Sequence, residues 1–116
     1  MQRSIIAVLF LFASSFSFAA GVSCEAVAAK AASQGSALFP RLGYIVLGKG
    51  RLYFYSAPHD ACRTATFVIS KDHLIAYTKF DGWLDVMYTH PKTGEPSFGW
   101  VKADRLKVTG TMSPTQ

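Results

Sequence analysis

The chain has 116 residues, half of them apolar and 14% aromatic, with 12 basic and 7 acidic side chains and a formal net charge of +5. That length admits one domain and no second. The basic residues are scattered, with no run and no helical stripe, so nothing here is a nucleic-acid signature; the modest excess favours acidic partners at the level of encounter.

The first stretch, MQRSIIAVLFLFASSFSFAAG, has a basic start at Arg3, an apolar run from Ile5 to about Phe12, and small residues at Ser17, Ala19 and Ala20. This is the layout of a secretory signal peptide over residues 1–19, with cleavage expected after Ala19. The apolar run falls short of the ~20 residues that a spanning helix needs. The alternatives are a retained anchor, or a lipoprotein modified at Cys24, for which Gly21-Val22-Ser23 lacks the usual leucine. The expectation is a periplasmic or secreted protein with no stable membrane anchor after signal cleavage.

Residues 20–41 read as a short helix and linker. In SCEAVAAKAASQG, Ser23 is placed to cap and Gly35 to stop an alanine-rich helix. About ten residues are marginal as an isolated helix, so this one must lean on something. Cys24 and Cys62 are the only cysteines. In an oxidising compartment an even pair reads as one disulfide, which would tether that helix; two independent buried thiols are the alternative. Neither cysteine has the close Cys or His company of a metal site, and no cofactor is implied.

From Leu42 to about residue 110 the signals are those of strands. YIVLG and RLYFY come first, followed by an irregular loop at SAPHDAC. TATFVIS and HLIAYTKF follow, separated by Lys71-Asp72. Asp81-Gly82 is a strong hairpin signal before WLDVMYTH. PKTGEPS is a polar turn cluster, FGWV a short strand, KADRL a single 3₁₀ turn, and KVTG the last strand segment; residues 111–116 read as a frayed tail. Five or six short strands with frequent turns predict an all-β barrel or sandwich.

The pieces LYFYSAP, LIAYTKFDGWLDVMY and GWVKADRL together resemble the bacterial SH3-like (SH3b-type) family. Members carry a strand ending in a small-residue–Pro loop, a Gly-Trp turn, a valine-bearing strand and a closing Gly-Trp-Val. Those are here Pro58, Gly82-Trp83, Val86 and Gly99-Trp100-Val101. The likeness covers roughly Leu42 to Val108. It departs from the pattern in the aromatic triplet Tyr53-Phe54-Tyr55, in a long loop over Thr89–Ser97, and in the helix and cysteine pair. The resemblance implies a small SH3-like barrel with Leu52 and Phe54 inside and Tyr53 and Tyr55 turned outward. LYFYSA also looks like the ALYDY segment of eukaryotic SH3 domains, without the acidic residues that follow there.

Catalysis is poorly supplied. His59, His73 and His90 suit no metal motif, no serine sits in a recognisable elbow, and Asp60, Asp72, Asp81, Asp85, Glu95 and Asp104 fall largely at turns. No catalytic residue is assigned and the protein is read as a non-enzyme. The aromatic set carries the information, because so small a core cannot hide every ring. Phe67 and Val86 are expected in the core. Trp83 stands between core edge and surface, and Tyr53 is either exposed or covered by the helix. Neighbouring exposed rings mark a contact site. The expected ligand-binding set is therefore Tyr53, Tyr55, Trp83 and Trp100 with Arg51, flanked by Arg63 and Lys79. The resemblance implies peptidoglycan or an envelope peptide or protein as the partner. The alternative is a small periplasmic inhibitor or immunity protein that blocks an envelope-attacking hydrolase or toxin through the Thr89–Ser97 loop.

Overall fold

The computed structural model describes residues 21–112; the signal peptide expected over 1–19 and the end of the tail lie outside them. One helix, α1 (Cys24–Gln34), precedes seven strands: β1 (Ser36–Val46), β2 (Leu52–Tyr55), β3 (Arg63–Val68), β4 (His73–Phe80), β5 (Trp83–Thr89), β6 (Pro96–Lys102) and β7 (Leu106–Met112). Short 3₁₀ turns occupy Asp60–Cys62 and Ala103–Arg105.

All seven strands form a single antiparallel sheet in the order β3-β2-β6-β5-β4-β1-β7. Residues 69–72 alone join β3 to β4, although the two strands stand four places apart in that order, so the sheet must curl on itself. The ladder does not close: β3 and β7 remain edges, and the expected barrel of five or six strands is instead an open, curled sheet of seven. Register shifts interrupt four of the pairings, and β2 meets β6 only at Tyr55 opposite Trp100. Bulges of this kind bend and coil strands.

Two boundaries differ from the sequence expectation. β1 begins at Ser36 rather than Leu42, inside the presumed linker. Its register breaks between Ala37 and Leu42, around Pro40, and a proline that cannot donate to a ladder disguises a strand as a linker. β7 runs on to Met112 because β1 pairs with it from Arg41 to Val46.

The β4–β5 hairpin follows from Asp81-Gly82. Both residues have positive φ, 48° and 80°, which matches a two-residue turn to the twist of its strands. The core is built by alternation: Leu52, Phe54, Val68, Leu74, Ala76, Leu84, Val86 and Val101 all point to one side of the curled sheet and join Val46. Burying each large side chain contributes roughly 1.5–3 kcal/mol. Leu52 and Phe54 are inside, as expected, and Val86 is fully buried. Phe67 is not in the core; it is 37% exposed, because its neighbour Val68 takes the inward position on β3.

Arg105 closes the end of the sheet. Its guanidinium donates to the carbonyls of Leu47 (2.9 Å), Gly50 (2.9 Å) and Arg51 (3.1 Å), holding the β1–β2 turn against the turn that precedes β7.

Candidate functional site: a ring and cation face outside the core

Side chains that alternate with the core residues point to the outer face of the sheet. On β2 these are Tyr53 and Tyr55, both half-buried. Tyr53 stands opposite Phe67 on β3, ring centroids 5.9 Å apart and edge to face. Arg51 lies over Phe67 at 4.3 Å and Arg63 over Tyr53 at 4.7 Å. The order Arg51, Phe67, Tyr53, Arg63 is therefore a cation, two rings and a cation. Each such contact at an exposed site is worth about 0.5–1 kcal/mol.

Tyr55 continues the face. Its ring meets Trp83 edge to face at 4.8 Å. The Lys102 ammonium lies 5.7 Å from the Tyr55 ring and 5.6 Å from the Trp83 ring, since β5 and β6 pair Trp83 directly with Lys102. Asp60, on the disulfide-bearing loop, bonds Lys102 at 2.6 Å. That hydrogen bond, and after it the lysine's charge, holds the Asp60 carboxyl below its ordinary range, and the same bond raises the lysine. Both partners are exposed, so the pair contributes little to stability.

Trp100 is also on the outer face, opposite Asp85 and Tyr55, but it is only 6% exposed and offers no surface to a ligand. The expected ligand-binding set is corrected at this residue. Its cover explains the difference. Ala31, Ala57, Cys62 and Trp100 are buried yet lie outside the main core. The helix starts at Cys24, bonded to Cys62 beside the end of β2. It ends against β4, where a Cβ on Gly35 would fall 2.7 Å from Thr78 Cγ2 and 2.5 Å from the Ala31 carbonyl. Eleven helical residues span about 16 Å, and three strand spacings span about 14 Å; α1 thus bridges β2 to β4 and passes over β6 and β5. Cys24, Val27, Ala28, Ala31 and Gly35 form its inward stripe. Ser23 caps it, its hydroxyl accepting the Ala26 N–H at 3.2 Å. Gly35 ends the helix in extended backbone, φ −70°, so the glycine serves close approach to β4 and not a left-handed cap. Tyr53 lies at the β2–β3 side of the face, edge to face with Phe67 and beneath the Arg63 guanidinium.

Asp85 shares this covered strip. Burial pushes its carboxyl above the ordinary value. Lys79 lies exposed on β4, outside the cation–ring contacts that build the face. The face thus unites Arg51, Tyr53, Tyr55 and Trp83 from the expected set with the expected flanking Arg63, and adds Phe67 and Lys102. The signal for Lys102 was its place two residues beyond Trp100, on the same face of one strand.

The Thr89–Ser97 loop is a hairpin end spanning residues 90–95 between strands. The His90 N–H bonds the Glu95 carbonyl at 3.0 Å, and His90 Nε2 lies 3.1 Å from Ser97 Oγ. Among the described residues no cluster of His, Cys, Asp and Glu could hold a metal ion, and no helix is long and apolar enough to cross a membrane. Comparison with family models, with curated proteins and with solved structures finds no match.

Proposed function

We propose that this protein is an exported, SH3-like binding module whose outer face holds an anionic envelope polymer, with peptidoglycan as the ligand. The curled seven-stranded sheet is read as an opened SH3-like barrel, a reading that rests on the sequence resemblance over Leu42 to Val108. The Cys24–Cys62 bridge supports export, since disulfides persist in oxidising compartments. The observation that carries the ligand reading is that the half-exposed rings of the face, Tyr53, Phe67, Tyr55 and Trp83, each lie against a cation. Rings present flat apolar faces on which sugars stack, and Arg51, Arg63 and Lys102 pair with carboxylates.

The test is retention of purified protein on intact murein sacculi. Tyr53→Ala with Tyr55→Ala weakens retention by roughly tenfold or more, the scale of losing interface anchors, while Lys102→Gln weakens it and reduces its salt dependence. Retention unchanged by all three substitutions rules out this face as the site. The inhibitor reading draws on the hairpin end, which carries Phe98 64% exposed beside it. A stoichiometric complex with a lysozyme-type hydrolase, lost on deleting residues 91–94 and unaffected by the tyrosine changes, would favour it instead.

A further inference from the structure

β3 has β2 as its one ladder partner among the described residues, so no strand pairs its other edge. A groove of about 490 Å3 runs along that strand. One wall is the five consecutive residues Ala65–Ile69; Tyr88, His90 and Ser97 face them from the β5–β6 hairpin, and Asp72 stands at the end. Successive side chains of a strand point to opposite faces. Five neighbours in a row can wall one groove only if the strand presents its backbone edge to it. At ~3.3 Å per residue that edge is about 16 Å long, and the volume falls in the range of about 300–1,000 Å3 typical of ligand clefts.

Two of the devices that blunt an edge, lysine and proline, are missing from this one. Thr64-Ala65-Thr66-Phe67-Val68-Ile69 contains no lysine and no proline, and both Phe67 and Ile69 are exposed, at 37% and 51%. The opposite wall is polar and ordered: His90 Nε2 lies 3.1 Å from Ser97 Oγ, and the Tyr88 ring packs on His90 at 4.9 Å. Charge is arranged along the strand as well. Exposed Arg63 opens β3, whereas Asp72 lies beyond its far end, with one carboxylate oxygen accepting the Ile69 N–H at 2.8 Å. An added strand running antiparallel to β3 would set its amino end at Asp72 and its carboxyl end at Arg63; the parallel direction would oppose both charges.

We propose that the β3 edge is a second binding site, which takes up an extended peptide of about five residues as an additional antiparallel strand, its free amino group at Asp72 and its carboxylate end at Arg63. Main-chain hydrogen bonds supply the affinity, and apolar side chains at alternate positions of the peptide pack on Phe67 and Ile69. This site shares Phe67 and Arg63 with the face of rings but not Tyr55, Trp83 or Lys102, and it stands whether or not that face binds murein.

The test uses the oxidised protein and a pool of synthetic pentapeptides with free termini, valine, isoleucine or phenylalanine at alternate positions and glutamate at the carboxyl end. Binding is followed by amide chemical shifts and hydrogen exchange. The expected result is shifts concentrated on 65–69 and slowed exchange there. The best peptide loses binding when N-methylated at alternate residues, a control that leaves the protein untouched. Acetylating its amino group, or Asp72→Asn, weakens it by about two- to fivefold, as for an exposed ion pair, and the two changes together cost no more than either alone. Asp72→Asn leaves murein retention unchanged, and Trp83→Ala leaves peptide binding unchanged. The proposal is overturned if no pool member binds at millimolar concentration, if N-methylated and parent peptides bind equally, if the shifts fall outside 65–69, or if sedimentation shows the edge already paired in a dimer.

Discussion

Removing the Cys24–Cys62 bridge should loosen the strip that α1 covers, and its size can be worked out from the chain. The cysteines are 38 residues apart in sequence. Closing a loop of that length removes about 13 cal/mol/K from the unfolded ensemble, or about 4 kcal/mol at room temperature. For a domain of this size each kcal/mol is worth roughly 4–8 °C in Tm, so Cys24→Ser with Cys62→Ser should lower Tm by about 15–30 °C. A second effect is local. The helix buries Ala31 alone among its residues, and a helix of eleven residues is marginal by itself. Without the tether it lifts from the sheet, and Trp100, now 6% exposed, meets water. Urea unfolding followed by tryptophan emission reads both: the midpoint falls, and the native emission of the variant shifts to the red. A Trp83→Phe background isolates Trp100 in that signal. Stability lowered by less than about 1 kcal/mol together with an unshifted native spectrum would refute the placement of α1 as a tethered cover.

Arg105→Ala removes donors to the carbonyls of Leu47, Gly50 and Arg51 and should cost about 1.5–3 kcal/mol in chemical denaturation; Arg105→Lys should recover less than half, since one ammonium cannot replace a planar fork. Gly99→Ala places a Cβ 3.0 Å from Phe54 Cβ and 3.2 Å from the Tyr55 carbonyl. Such overpacking should destabilise by about 1–3 kcal/mol, and murein retention should fall with it as Tyr55 is pushed from Trp83. Asp85 provides a pH test. Burial raises its folded-state pKa above the ordinary 3.8, so the folded protein holds that proton more tightly than the unfolded chain. Its contribution is greatest below 3.8 and is lost as pH rises through the folded value. Asp60 acts oppositely: its depressed pKa gives stability above 3.8 that is lost as pH falls through the folded value. The stability difference between Asp85→Asn and the parent protein should therefore grow in favour of the variant from acid to neutral pH, and a difference independent of pH would refute the half-buried carboxylate as its cause.

Local chemistry was legible in the sequence because its causes are local. The alternation of Leu52-Tyr53-Phe54-Tyr55 sends two residues inward whatever the rest of the chain does. Asp81-Gly82 makes a turn through its own backbone preferences, and Ser23 caps the helix that follows it. Period-two alternation assigns a side chain to a face, but it does not say whether that face is wet. Trp100 and Tyr55 point the same way from paired positions, yet one is sealed and the other half-open. That difference is set by where α1 and the disulfide loop cross the sheet, which depends on residues far away in sequence. Phe67 came outward for a related reason, since β3 sets Val68 opposite the inward Leu52 and Phe67 opposite the outward Tyr53. The reach of Arg105 across 54 to 58 residues and the open edge of β3 are likewise properties of the assembled sheet. The residues alone determined strands, turns and the inward half of each strand; which outward residues are covered was decided only by tertiary packing, because burial depends on what passes overhead.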